Sequence, residues 1–170
     1  MSYTPETRIE ADDFRLRFEQ RDVAIAKAEM LGENIVCYYQ TAEALADPGV
    51  QCWITDTLKA FARKRVKELL VPRLLRMAAE RGLTVSCVKV SSAHGRWGSC
   101  SSKGNINLSL YLILLPHPLQ DYVIQHELTH LIEMNHSPRF WAQLDKVFPH
   151  SRDMRKEMRL YNTSFLVPKP

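Results

Sequence analysis

The sequence has no long hydrophobic run. Its longest, Leu108 to Leu115, is broken by Ser109 and falls well short of the ~20 apolar residues that a bilayer-spanning helix needs. Met1 to Glu10 is polar and holds no apolar segment that could serve as a signal peptide, so a cytoplasmic chain without membrane attachment of its own is expected. Cysteine is sparse. Cys37, Cys52, Cys87 and Cys100 form no C-x-x-C pair and match no common zinc or disulfide framework, so free thiols in a reducing compartment are expected. The chain also lacks internal repeats, low-complexity stretches, a Gly-rich phosphate loop and any recognised DNA-binding motif.

What is present is ordinary globular material: 170 residues, 45% hydrophobic and 25% charged. That length suits one compact unit with at most a small appendage. We read residues 1–50 as an ill-defined strand and helix region and 51–165 as the main domain. The net charge of +4 permits contact with nucleic acid or an anionic substrate without demanding it. The oligomeric state is not encoded in any readable pattern.

Along the chain, Phe14-Arg15-Leu16-Arg17-Phe18 alternates as a half-buried strand does. Asp22 to Leu31 reads as a short Ala-rich helix stopped at Gly32, Ile35 to Tyr39 as a strand, and Asp47-Pro48-Gly49 as a turn. Ile54 to Arg81 has helical periodicity, with Pro72 kinking or splitting it. Its polar face carries Lys59, Arg63, Lys64, Lys67, Arg73 and Arg76, a solvated surface or a phosphate-contacting patch that could make weak nucleic-acid contacts. Residues 83–90 and 105–110 read as two strands of a hairpin around a Ser- and Gly-rich stretch. A helix from about Leu119 to Met134 follows. Ser137-Pro138 then has the form of an N-cap and first turn, and Ser151 could cap a last helix through Tyr161.

The chemistry is concentrated in His126-Glu127-Leu128-Thr129-His130. Residues four apart lie one turn above each other on a helix face, so both imidazoles can reach a single zinc ion at about 2.0–2.1 Å. Glu127 is rotated by ~100° from His126 and can approach a metal-bound water from the side, as a general base must. A catalytic zinc needs a third protein ligand and a position left for water. His136 is the natural candidate if Asn135 ends the helix and lets the chain turn back, with a carboxylate such as Glu133 as the alternative. His94, His117 and His150 read as surface or loop residues, though one of them, or Arg139, could stabilise an oxyanion. Trp97 and Trp141 read as core, and Cys100 as a small buried thiol.

Two blocks, Arg96-Trp97-Gly98-Ser99-Cys100-Ser101-Ser102-Lys103-Gly104-Asn105-Ile106-Asn107-Leu108 and Tyr122 to Leu131 running on to Met134-Asn135-His136-Ser137 and Phe140-Trp141, resemble the YgjP-like metal-dependent hydrolase family. This family is similar to the WLM and SprT-like zinc metallopeptidases. The likeness spans roughly residues 55–160. It implies zinc held by His126, His130 and His136, a catalytic Glu127, and a 105–110 strand lining the cleft with an edge that an extended substrate could join. The histidine spacing also matches the metzincins, but those have Gly where this chain has Glu133. The fold implied is α+β and zincin-like, a small mostly antiparallel or mixed sheet packed on the active-site helix, with a helical C-terminus.

Three functions compete on this reading. The first is a metallopeptidase using a zinc-bound water activated by Glu127. The second is a metal-dependent nucleoside triphosphate pyrophosphohydrolase of the UTP type, a link that members resembling this family carry. The third is a DNA-associated, SprT-like protease module. The substrate is accordingly a peptide or a nucleotide.

Overall fold

The computed structural model describes residues 2–163. Residues 164–165, the end of the expected main domain, lie outside them. The alternation at Phe14–Phe18 does what its period dictates: Phe14, Leu16 and Phe18 are buried while Arg15 and Arg17 face solvent. This segment carries β2 (Arg15–Gln20), which with β1 (Ile9–Glu10), β3 (Ala26–Leu31) and β4 (Asn34–Tyr39) forms an N-terminal sheet in the order β1-β2-β4-β3. β2 runs parallel to β4, and β3 antiparallel to it.

The expected helix at Asp22–Leu31 is therefore a strand. Ala26, Ala28 and Met30 point inward while Lys27, Glu29 and Leu31 point out, a period of two hidden under alanine's helix propensity. Gly32, at φ +60°, closes a two-residue hairpin that sets Leu31 opposite Asn34. A short helix alone would be marginal in water, whereas here the ladder to β4 satisfies the backbone.

The turn read at Asp47-Pro48-Gly49 is a helix start. After α1 (Ala42–Ala46), Asp47 Oδ1 accepts from the Gly49 and Val50 N–H groups at 2.8 and 3.1 Å, and Pro48 opens α2 (Pro48–Arg65). Pro72 does not split the segment. α2 passes through a π-helical turn, Val66–Leu70, directly into α3 (Val71–Glu80), and the widened turn accommodates a residue with no N–H to give. Ile54, Leu58, Ala62, Val66, Leu70, Leu74 and Ala78 are all buried along this rod. A strict four-residue spacing drifts by about 40° per step on an α-helix, and the π turn takes back part of that drift.

The second sheet comprises β5 (Cys87–Ser91), β6 (Gly98–Cys100) and β7 (Asn105–Ser109), in the order β5-β7-β6. The strands around 83–90 and 105–110 do not form a hairpin. β5 runs parallel to β7, and the true hairpin is β6–β7, with Gly98 opposite Leu108. The intervening Ser- and Gly-rich stretch contains a strand of its own, which is what returns the chain for parallel pairing. β7 is consequently the central strand and has no free edge.

The C-terminal layer is α4 (His117–Thr129), α5 (Pro138–Val147) and α6 (Ser151–Glu157). α6 is preceded by His150 at φ +63°, and Ser151 is not its cap. Its hydroxyl instead donates to Asp145 at 2.7 Å. One continuous core joins both sheets to this layer, with Ile106, Leu108, Leu119, Ile124, Leu128, Phe140 and Leu144 shielded from solvent. The α+β expectation is borne out.

Leu108 is fully buried on the central strand beneath α4. Leu108→Ala should lower stability by about 2–5 kcal/mol, since the lost transfer energy and the cavity add. Urea denaturation should show a lower midpoint at an unchanged slope.

Candidate metal centre

α4 presents His126 and His130 on one face one turn apart, with ring centroids 5.0 Å from each other. The helix stops sooner than its apolar pattern suggests, at Thr129 and not near Met134. Thr129 Oγ1 donates to the Gln125 carbonyl at 2.7 Å, and the Ile132 and Glu133 N–H groups both turn to the Thr129 carbonyl. Asn135, expected to end the helix, lies beyond that stop and is not left-handed; among the described residues His150 is the non-glycine with positive φ. Ile132, beyond that stop, is half exposed. The chain then restarts at α5, where Ser137 Oγ accepts the Phe140 N–H at 3.3 Å. His136 sits between these two helices, so the early stop and the capped restart together aim it back at α4.

The three imidazoles converge. Their candidate ligand nitrogens all lie within 4.8 Å of one another, and His126 Nε2 and His136 Nε2 are 2.9 Å apart. A tetrahedral ion with ligands at about 2.0–2.1 Å would hold two such nitrogens roughly 3.3 Å apart, so a few tenths of an ångström of opening suffices. Phe140 packs among the rings at 4.6–4.8 Å from each. His130 Nδ1 lies 3.2 Å from the Glu133 carbonyl; donating there fixes the tautomer and leaves Nε2 with its lone pair toward the other rings. His126 Nδ1 is buried with no partner among the described residues. Burial, then the neighbouring His130 and His136, push His126 down to about 3, and burial lowers His136 as well. Three imidazoles facing one point form a donor set that fits a borderline-soft dication.

Glu127 lies beside this group, 6% exposed, and burial pushes its carboxyl up to about 8. A dication within a few ångströms would favour the carboxylate and bring it down. Its other neighbour is Gly98 on β6. A Cβ there would stand 2.8 Å from Glu127 Cγ and 2.9 Å from Oε1, so the strand approaches the carboxylate closely only because residue 98 has no side chain. Gly98, Trp97 and Arg96 line one wall of a cleft of about 270 Å³, with Tyr122, His126, Glu127, His136 and Arg155 around the rest. Burial holds the Tyr122 phenol up at about 12, so it stays a proton donor.

The remaining candidates are elsewhere. Glu133 is in an ion pair with Arg139 at 3.8 Å and is not in the histidine group, and Arg139 is itself mostly exposed. His94 is bonded to the Thr163 carbonyl at 2.7 Å, and His117 to Asp13 at 3.0 Å. Cys100 is half-buried, outside the histidine group, and its thiol is raised to about 11 by burial and then by Glu127. Trp141 is buried as expected, Trp97 only partly. Along the basic rod, Lys59, Lys64, Arg73 and Arg76 each face a carboxylate at 3.1–3.9 Å.

The 105–110 strand, expected to offer an edge to substrate, is enclosed between β5 and β6. The strand at the rim, packed on α4, is β6. Gly98 and Arg155 are the residues that the sequence reading passed over. A glycine inside an otherwise polar, specific block was the available signal for the first. For the second it was a run of cations at helical spacing.

An α+β fold with a histidine trio, a buried carboxylate and an edge strand along one cleft defines a metal-dependent hydrolase of the metallopeptidase class. The chain belongs to the YgjP-like family: the family model "YgjP-like, metallopeptidase domain" matches residues 6–161. The match includes most of the first 50 residues, which the resemblance at 55–160 had left out. None of the curated proteins matches this chain. Among solved structures, the crystal structure of the metallopeptidase zymogen of Pyrococcus abyssi abylysin is similar at 28% identity, with a TM-score of 0.47, over 52% of this chain and 92% of that one. No helix among the described residues is long and apolar enough to cross a membrane.

Gly98→Ala should force either the Glu127 carboxyl or β6 aside, costing about 1–3 kcal/mol in the manner of other overpacked sites. Chemical denaturation reads the cost, and a crystal structure of the variant should show Glu127 displaced while the histidine trio stays in place.

Proposed function

We propose that the protein is a zinc-dependent peptidase in which His126, His130 and His136 hold the metal and Glu127 is the general base. The observation that carries this reading is the convergence of three imidazoles beside a buried carboxylate that has no hydrogen-bond partner among the described residues. Zinc fits such a donor set, and when bound it supplies Lewis acidity toward a water and toward the scissile carbonyl.

The chain's own groups do the rest. Glu127 takes a proton from the attacking water and returns it to the leaving amine, a role that requires an accessible, unpaired carboxylate near the trio. β6, at the sheet's rim beside α4, offers backbone N–H and C=O groups to an extended peptide, and bare Gly98 lets that backbone lie against Glu127. Tyr122 and Arg155, on the cleft wall, are the donors available to negative charge developing on the carbonyl oxygen. His130 is anchored by the Glu133 carbonyl, so the active-site turn from 130 to 136 doubles as the ligand's outer support.

Purified protein should carry one tightly held zinc per chain by elemental analysis, and His136→Ala should lose most of it. Glu127→Gln should keep the metal yet lose turnover by roughly 10²–10⁴-fold. A peptide library, with pyrophosphate release from the four ribonucleoside triphosphates measured beside it, should show hydrolysis only in the peptide arm. Undiminished activity in the Glu127→Gln protein, or zinc-free protein with full activity, would refute the assignment.

A further inference from the structure

A second feature borders the cleft. Arg152, Arg155, Lys156 and Arg159 follow one another at i, i+3, i+4 and i+7 across α6 and the turn after it, which places four cations on one helical face. They line a cavity of about 300 Å³ against Trp141. The Arg152 and Arg155 guanidinium carbons stand 5.5 and 5.6 Å over the indole, so a buried ring seats two of the charges at fixed positions. Among the described residues neither Arg152 nor Arg155 forms an ion pair, and the carboxylate of Asp153 is taken by Lys156 at 3.3 Å. Arg155 also lines the cleft with His126, Glu127 and His136. The cationic trough and the candidate metal centre therefore share a wall.

Arg152 and Arg155, like charges held over one ring with no ion pair among the described residues, repel each other, and a ligand bringing negative charge relieves that cost. We infer that the trough is an anion subsite of the substrate cleft, accepting acidic side chains of a peptide a few residues from the scissile bond. The inference rests on the peptidase reading. Seven residues of helix spread the cations over about 10 Å. That span matches carboxylates on alternate residues of an extended chain, at about 7 Å, better than it matches one compact phosphate group. The trough also has no Gly-rich loop of backbone amides, the usual cradle for phosphate.

The test uses the full chain and two hexapeptides, one all-glutamate and one all-glutamine, with inorganic tripolyphosphate as a third probe. Calorimetry on metal-free protein should show the glutamate peptide binding at least about tenfold more tightly than the glutamine peptide, as charge-assisted contacts imply. R152Q/K156Q, which alters two exposed side chains, should remove that difference, and added salt should shrink it. Equal binding of the two peptides, or a difference that survives in the variant, overturns the subsite. So does tripolyphosphate binding that depends on Arg152 and Lys156 without any glutamate preference. With zinc present, otherwise identical Glu and Gln substrates should differ about tenfold in kcat/KM in favour of Glu, with the ratio falling toward one in R152Q/K156Q. Variant-sensitive glutamate binding with no peptide ever cleaved would keep the subsite and refute the peptidase reading. Cleavage indifferent to acidity would do the reverse.

Discussion

Three imidazole lone pairs must face one point in a partly buried place, and the surrounding structure is arranged to tolerate that demand. Protonated, the rings would repel one another; burial and proximity favour the neutral forms of His126 and His136, at the cost of leaving nitrogens poorly paired. Two of the rings are placed by a single helix and need nothing beyond their spacing. The third depends on where that helix ends and on where the next begins. Thr129 bonding back to the Gln125 carbonyl and the Ser137 cap on α5 set both limits. Phe140, on the first turn of α5, then fills the space among the rings and prevents their collapse.

The small sheet contributes through position more than through area. Leu110–Leu114, which follows its central strand β7, carries the contact with α2 and its π turn, while its shortest strand, β6, packs on α4. Behind α4, Arg81 donates to Gln125 Oε1 at 2.9 Å and to Thr129 Oγ1 at 3.2 Å, tying the end of α3 to the end of α4. The helix bearing His126 and His130 is thus held from the back by a guanidinium and approached from the front by a glycine. Neither contact resembles a catalytic motif, yet each limits how far Glu127 can wander.

The site was legible in the sequence where local spacing determined geometry. His126 and His130 needed only the helical period, and the Ser137-Pro138 start needed only cap chemistry. His136 was reached by arguing that the helix must end, which held, although the residue blamed for ending it did not act as supposed. What could not be read were pairings between distant segments. The period of two in Ala26–Leu31 was masked by alanine, the parallel alignment of β5 with β7 depends on a strand lying between them in sequence, and the π turn before Pro72 responds to tertiary burial along the whole rod. The N-terminal sheet suffered most, because its order joins strands that are not neighbours along the chain.

The two helix-borne histidines are not equivalent, and the difference bears on how the centre is stabilised. His130 has its Nδ1 proton accepted by the Glu133 carbonyl, so its orientation is fixed before any ligand arrives. His126 has no such acceptor among the described residues. If its Nε2 serves as the donor, the proton must reside on a buried, unpaired Nδ1, a state that costs on the order of 1–3 kcal/mol. Packing has to supply the missing orientation, and Tyr122, Phe140 and Trp141 surround the ring at centroid distances of 5.8, 4.8 and 6.2 Å. Binding of a cation at Nε2 would then offset a strain already built into the fold. The tight aromatic box and the orphaned nitrogen are two sides of one arrangement, in which shape complementarity does for His126 what a hydrogen bond does for His130.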